Sequence, residues 1–561
     1  MFEPYHNPVV DAVAEVAAPA RHRRVTGHFD GTAVGFCVYL PPPEVWQGRF
    51  FQYTYPMPIP GVWEGPDATE RAISFALAHG GHAVQAGSAA ETVLGFRHAA
   101  AAAEFARSLA ADYYGHVGRV FGYLHGPSGG SFQTVGAMEQ TEGIWDGFVP
   151  TVLGTPISIP GSFFIREQAR LILAGKAEQI ADAIRPGGAG DPFAGLDQAE
   201  SAMLAELLAY GAPLGAWASP DYLLGITDLH GQAGGGLMDF GPVVRQMDPT
   251  YAADFWTRPG YLGAEDSPLG ERMRALLAQD DTEENRWALA LPSYYRHQVP
   301  EEPDWYGFNG LRNPDGTPRY PQRPLVGPLM AAQTTGGATY SGRFHGKCVV
   351  VDALGDSDAL PWHADWYAKR ARAALGEEFD NQFRVYYQEN SDHHEQTVRG
   401  YRATHLVDYM PTVEQALADL VEWVEHGVAA PPSTRYTVQG AQVTVPDAAA
   451  ERKGIQPTAT LTVLGAAAVG IGQPVNLHVR AEAPVGLLVG LAWDASGTGV
   501  WESVPLDEPG PGAEASRTVV YGAPGVYFPA VKVTAQRTGE QASRHCRVQN
   551  LARARVVVGP A

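Results

Sequence analysis

A serine flanked by glycines, a group of aspartates at the end of an apolar run, and two adjacent histidines are the side chains in this sequence whose types and order could carry chemistry. The serine lies in Gly126-Pro127-Ser128-Gly129-Gly130, a G-x-S-x-G sequence. The apolar run GRVFGYLHG (118–126) precedes it, and the helix-like SFQTVGAMEQTEG (131–143) follows it. Placed between a strand and a helix, this pentapeptide forms a tight turn that exposes the serine hydroxyl, and its glycines let neighbouring backbone pass without Cβ clashes. A hydroxyl at its ordinary pKa is a poor nucleophile and needs a base, which in turn needs an orienting group. VVVDALGDSDALPW offers Asp352, Asp356 and Asp358 as the orienting acid. Asp352 falls within the strand-like run, whereas the other two lie beyond it. RVYYQENSDHHEQ offers His393 and His394 as the base. Neighbouring residues on a loop cannot both face one cleft. His393 directly follows the turn residues Asn390, Ser391 and Asp392 and is preferred, with His394 as the alternative. His363, in PWHADW, is a weaker candidate.

A tetrahedral intermediate needs donors aimed at its oxyanion. The N–H of Gly129, directly after the serine, is the first expected donor. The second is expected from the backbone of the FFQYTYPMP loop, at Tyr53 or Thr54, with Tyr53 taken first. A metal site built on the two histidines lacks a third ligand at suitable spacing. No metal is therefore expected, and the chemistry requires no cofactor.

Strand-like and helix-like segments alternate through the first 154 residues. ATERAISFALAHGG (68–81), RHAAAAAEFARSLAADYYG (97–115) and the segment after the serine read as helices between short apolar strands. Such alternation implies a parallel sheet covered on both faces. Residues 155–340 change rhythm. IREQARLILAGKAEQIADAI (165–184) and LDQAESAMLAELLAYG (196–211) are amphipathic helices, and Gly-, Pro- and aromatic-rich connections follow. A block of this kind between strands is expected to form a lid, with Trp256, Tyr261 and Trp305 shaping an apolar substrate pocket. The sheet pattern returns over 341–428. A linker by composition spans 429–455, and short strands separated by turn residues from 456 to 561 read as a β-sandwich of roughly a hundred residues.

Across the 561 residues, 40 basic and 61 acidic side chains leave a formal charge of −21. That balance argues against nucleic acid or an anionic membrane as partner, since both reward clustered Lys and Arg. A small-molecule substrate is the expected partner. Cys37, Cys348 and Cys546 lie far apart, and the first two sit in apolar runs, so reduced core cysteines are expected. No leader opens the chain and no apolar run reaches the ~18 residues of a membrane span. A cytoplasmic location is expected on that basis, or secretion if a leader has been removed.

The order of parts resembles an α/β-hydrolase related to the tannase and feruloyl esterase group. PPPEVWQGRFFQ, the GPSGG elbow, EQTEGIWDGFVP, GDSDALP and the late histidine carry the resemblance, which covers most of residues 25–430. It implies an α/β sheet with an inserted, mostly helical lid, and the chain order serine, acid, histidine. It also implies that the acid is the last residue of a G-x-x-D segment. Here that segment is Gly355-Asp356-Ser357-Asp358, followed by Pro361, so Asp358 is favoured and Asp356 is its rival. Members usually pair a cysteine before the nucleophile motif with one beside the histidine. This chain has Leu124-His125 and Asp392-His393-His394 there, so neither that disulfide nor the group's phenolic esters carry over.

The C-terminal segment resembles immunoglobulin-like domains of the polycystic kidney disease type, through Trp493-Asp494, Gly497, Gly499 and Pro524-Gly525-Val526-Tyr527. The resemblance implies that the tryptophan and G-x-Y strands build the sandwich core, and that the module packs or binds without catalytic residues. All the candidate catalytic residues precede Pro431-Pro432 and the segment has enough strands for a core of its own, so a sandwich separable from the chemistry is expected, serving association into a homo-oligomer rather than carbohydrate or surface binding.

The expected activity is carboxylic ester hydrolysis by Ser128, His393 and Asp358 through an acyl-enzyme. The alternatives are an amidase, peptidase or acyltransferase with the same residues, or a non-catalytic protein that binds through its sandwich.

Overall fold

The structure is a computed structural model that describes residues 3–56, 67–228, 237–395 and 398–559. The end of the FFQYTYPMP loop, from residue 57, lies outside the described residues.

Nine strands form one sheet. In chain order they are β1 (Pro8–Val16), β2 (His22–Phe29), β3 (Gly35–Leu40), β4 (Arg49–Tyr53), β5 (Gly81–Gly87), β6 (Phe121–Pro127), β7 (Gly147–Thr151), β8 (Lys347–Ala353) and β9 (Phe383–Gln388). In space the order is β1-β2-β3-β5-β4-β6-β7-β8-β9. β3 runs antiparallel to both its neighbours, and every pairing from β5 to β9 is parallel. The parallel strands are buried almost throughout, as expected where helices cover both faces. β1 is an exposed edge strand that the alternation of the sequence does not announce.

The helices α1 (Asp67–Ala78), α2 (Arg97–Tyr114) and α3 (Gly129–Gln140) connect the central strands. α2 buries its alanines at 99–103, 106 and 110, and Gly115 ends it at φ 61°, where a side chain would be strained. Between β7 and β8 lies a helical insertion. The amphipathic stretch 165–184 is two helices there, α4 (Ile159–Leu173) and α5 (Ala177–Ile184), separated by a short 3₁₀ turn at Ala174–Lys176. α6 (Gln198–Tyr210) starts with a reciprocal cap, in which Asp197 accepts from the Glu200 N–H and Glu200 accepts from the Asp197 N–H.

Residues 429–455 are not an extended linker. They hold the hairpin Thr437–Gln439/Gln442–Thr444, and the Gln442 side chain donates to the carbonyls of Leu208 and Ala212 in the insertion. Beyond it, the strands of the C-terminal part form a three-stranded sheet, a four-stranded sheet and a small third sheet around Leu477, Val479, Leu491, Trp493, Val531 and Val533. Trp493 lies inside this core, whereas Tyr527 stacks on Tyr521 at its rim. This all-β unit docks on the sheet's helix Met410–Glu425. There Glu414 accepts from Arg71 (2.7 Å), from the Cys546 N–H (2.8 Å) and from His545 Nδ1 (2.8 Å). Burial alone would raise the Glu414 carboxyl, but His545 and Arg71 hold it down at about 2.

Candidate active site

β6 ends on Gly126-Pro127, and Ser128 stands between it and α3 with φ 54° and ψ −117°. A non-glycine residue in such a conformation costs on the order of 1–3 kcal/mol and persists only where its surroundings enforce it. The Ser128 N–H donates to the Thr151 carbonyl of β7 (3.0 Å), and its carbonyl accepts from both the N–H (2.9 Å) and the hydroxyl (2.5 Å) of Ser131. A Cβ on Gly126 or Gly130 would stand 2.3 or 2.1 Å from the Thr54 carbonyl oxygen, so both glycines are required by the close pass of the loop after β4. This is an α/β-hydrolase sheet with its serine elbow.

The Ser128 hydroxyl lies 2.8 Å from His393 Nε2, and His393 Nδ1 lies 2.7 Å from an Asp356 carboxylate oxygen. His393 is thus the histidine at the serine. His394 has its N–H on the Asp392 side chain (3.1 Å), and His363 is buried against Trp362 and pushed down to about 3 by burial.

The expectation for the acid is corrected. Asp356 occupies Nδ1, and its other oxygen accepts from the N–H groups of Asp358 (2.8 Å) and Ala359 (2.9 Å), which closes the turn after β8 around it. Asp358 points instead toward the insertion. One of its oxygens pairs with Arg166 of α4 and the other accepts from the Tyr222 hydroxyl at 2.6 Å. It stands 3.9 Å from His393 Nε2, on the serine side of the ring. Burial alone would raise Asp358, but Arg166, His393 and Tyr222 hold it below the ordinary carboxylate value. Burial likewise disfavours a charged His393, but Asp356 and Asp358 outweigh it and raise the imidazole to about 9. Asp352 lies in β8, and burial together with Asp356 pushes its carboxyl well up.

The second oxyanion donor was expected from the backbone of Tyr53 or Thr54. Tyr53 pairs in register with His125 inside the sheet, and its hydroxyl donates to Glu395 (3.1 Å). The Thr54 N–H is taken by the His125 carbonyl (2.9 Å), and its hydroxyl by Gln133 (2.5 Å). The next residue, Tyr55, reaches the serine. Burial and Glu395 push its phenol up to about 12, and contact with the Ser128 hydroxyl works in the opposite direction. Pro56 and the Tyr55 ring cover the Cα of Gly129. Gly129 opens α3, so its N–H is one of the helix's unpaired donors. Glu395 is a further carboxyl that sequence reasoning misses, and burial raises it to about 7 beside Tyr53 and His393. Neither Tyr55 nor Glu395 sits in a recognisable pattern, and only the approach of two loops brings them to the serine.

The three aromatic residues expected to line a substrate pocket make core contacts instead. Trp305 stacks on Trp366 at 3.8 Å, Tyr261 packs on His297, and Trp256 lies edge-on to Phe255 with its indole N–H on the Arg286 carbonyl. The cysteines are free and buried.

No protein-family profile and no curated protein matches the chain. Among solved structures, it is similar to a tannin acyl hydrolase from Aspergillus niger, at 13% identity over 78% of this chain and 84% of that one, with a TM-score of 0.37. It is also similar to feruloyl esterase B from Aspergillus oryzae, at 13% identity over 78% of this chain and 91% of that one, with a TM-score of 0.36. Its C-terminal part is similar to the PKD domain of an M14-like peptidase from a Thermoplasmatales archaeon, at 16% identity over 19% of this chain and all of that one, with a TM-score of 0.15.

Proposed function

We propose that the chain is a serine hydrolase that cleaves a small-molecule carboxylic ester through an acyl-enzyme. The observation that supports this best is the continuous relay Ser128 Oγ–His393–Asp356, with contacts of 2.8 and 2.7 Å, on a strained elbow. In this reading His393 Nε2 takes the serine proton as Oγ attacks the ester carbonyl carbon. The imidazolium then gives that proton to the leaving alkoxide, so an alcohol departs and the acyl group remains on Ser128. Water repeats the cycle, with His393 again as base, and releases the acid. Asp356 holds the imidazole tautomer and stabilises the imidazolium. The Gly129 N–H is one oxyanion donor, and the Tyr55 phenol, kept neutral by its raised pKa, is the second. The helical insertion acts as a lid whose Arg166 and Tyr222 clasp Asp358 at the site.

The test is turnover of p-nitrophenyl acyl esters of graded length against peptide anilides, for the parent and Ser128→Ala. Ester turnover lost in the variant is expected. Preferred cleavage of the anilides would replace the esterase reading with an amidase, and no turnover of either class would remove it.

A further inference from the structure

A cavity of about 370 Å³ lies behind the two loops that carry Asp356 and His393. Gly355, Asn390 and Ser391 form one wall, Arg185 of the insertion and His405 another, and Arg553, at the end of the strand Val548–Arg553, closes it from the β-sandwich. Three parts of the molecule therefore meet around one space.

The charges around that space do not balance. Glu389 at its edge is taken by Arg452 (2.8 Å), and Arg402 by Asp392. Arg185 meets Glu178 at 3.0 Å, but Glu178 is largely exposed to solvent and gives a weakened counter-charge. Arg555 is paired with Asp182. Arg553 has no hydrogen-bond acceptor or carboxylate among the described residues, although it is half-buried. Burial and the nearby Arg185 lower its guanidinium to about 10. His405 adds no compensation. Its ring is bonded to Ser219 (2.7 Å) and Thr404 (3.1 Å), and burial with the surrounding arginines keeps it neutral. A half-buried guanidinium without a partner is costly, because it gives up water and receives nothing in return. Its planar fork matches a carboxylate or a phosphate, and the cavity is large enough for a molecule bigger than a bare ion.

We propose that this junction cavity binds a small oxyanion ligand, a carboxylate or a phosphate, on Arg553 and Arg185. The ligand would bridge sandwich and insertion directly behind the catalytic loops. Gly355 immediately precedes Asp356, and its N–H donates to the Ser391 carbonyl at 2.8 Å, so the wall of the cavity and the turn that aims Asp356 and His393 are the same backbone.

The experiment uses the full chain, dialysed into a chloride buffer and titrated with inorganic phosphate and with citrate. Calorimetry and thermal unfolding provide the readouts, with sodium chloride at matched ionic strength as control. Saturable heat and a rise in Tm are expected for at least one of the two anions, and which one responds identifies the headgroup. Arg553→Gln should weaken that binding at least tenfold and Arg185→Gln severalfold, whereas Ser128→Ala should bind like the parent, separating this site from the serine. If Arg553→Gln fails to fold, Arg553→Lys keeps the charge, loses the fork and should still weaken binding. An absence of saturable binding by both anions, or equal binding by the parent and both Arg553 variants, overturns the proposal.

Discussion

Two carboxylates two residues apart divide their roles by what reaches them. Asp356 is enclosed by its own turn and faces Nδ1, whereas Asp358 is drawn to Arg166 and Tyr222, which lie 192 and 136 residues away in the chain. Asp356→Asn should therefore lower kcat by about four orders of magnitude, the loss seen when a triad acid becomes an amide. Asp358→Asn should cost far less and act mainly on the pH profile. His393 must be neutral to accept the serine proton. With its pKa raised to about 9, kcat/KM should increase through the alkaline range, with its acidic limb well above 6.5, the ordinary value for histidine. Removing the negative charge of Asp358 disfavours the imidazolium, so the limb should move to lower pH in Asp358→Asn. Steady-state rates from pH 5 to 10 for the parent and both variants check this. A limb at or below 6.5 in the parent would contradict the raised imidazole, and a larger kcat loss in Asp358→Asn would move the acid to Asp358. That Ser128 and His393 meet was legible because each needs only a local context, a strand–Gly–Ser–Gly–helix step or a turn after a strand. The choice between Asp356 and Asp358 was not, because a distant helix decides it. Tyr55 was missed for the same reason.

At the scale of elements, the placement of Ser128 depends on how closely the loop after β4 crosses the elbow. Gly130 is the contact that permits it, since its Cα faces the Thr54 carbonyl where a Cβ would approach to 2.1 Å. Backbone stands against backbone there, so the strain cannot be relieved by a side-chain rotation. Gly130→Ala should move the loop that carries Tyr55 and lower kcat/KM at least a hundredfold, about the cost of a 1 Å misplacement of catalytic groups. Stability should fall by about 1–3 kcal/mol, as for overpacking elsewhere. Gly215→Ala is the control, because an added Cβ meets nothing there and the backbone conformation is ordinary. Equal rates in the two variants would show that the crossing does not govern catalysis. The central helices and strands follow from apolar periodicity and appear close to their expected positions. The aromatics of the insertion illustrate the limit of that reading. Trp256, Tyr261 and Trp305 are large and apolar, and periodicity alone cannot distinguish a residue facing the substrate from one filling the insertion's own core.

At the scale of the whole molecule, the β-sandwich is not an appendage to the hydrolase sheet. The loop that leads from β9 to His393 is bonded to it residue by residue. Gln388 donates to the Gln549 carbonyl (2.8 Å), and Asn390 donates to the Asn550 side chain (2.8 Å) and the Leu551 carbonyl (3.0 Å). Gln456 accepts from the Glu389 N–H and donates to the Glu389 carbonyl. Asn390 itself sits at φ 54°, a conformation that asparagine tolerates better than most side chains. Where the sequence led to an expectation of separability, these contacts predict dependence. A Pro-rich stretch followed by strands marks a change of fold class, but it says nothing of which loop the new unit packs on. Truncation after Ala430 should abolish ester turnover. Asn550→Ala should lower kcat about tenfold with little change in KM, and cost about 1–3 kcal/mol for the donor left without its partner. A truncated chain that folds and retains full turnover would contradict this dependence.

Covalent labelling by a fluorophosphonate, located by peptide mass spectrometry, addresses the central claim most directly. The account predicts a single adduct on Ser128 that is absent in Ser128→Ala and strongly slowed in His393→Ala and Asp356→Asn, with each variant unfolding cooperatively near the parent Tm. An adduct on another serine, or labelling of folded Ser128→Ala at the parent rate, would contradict it.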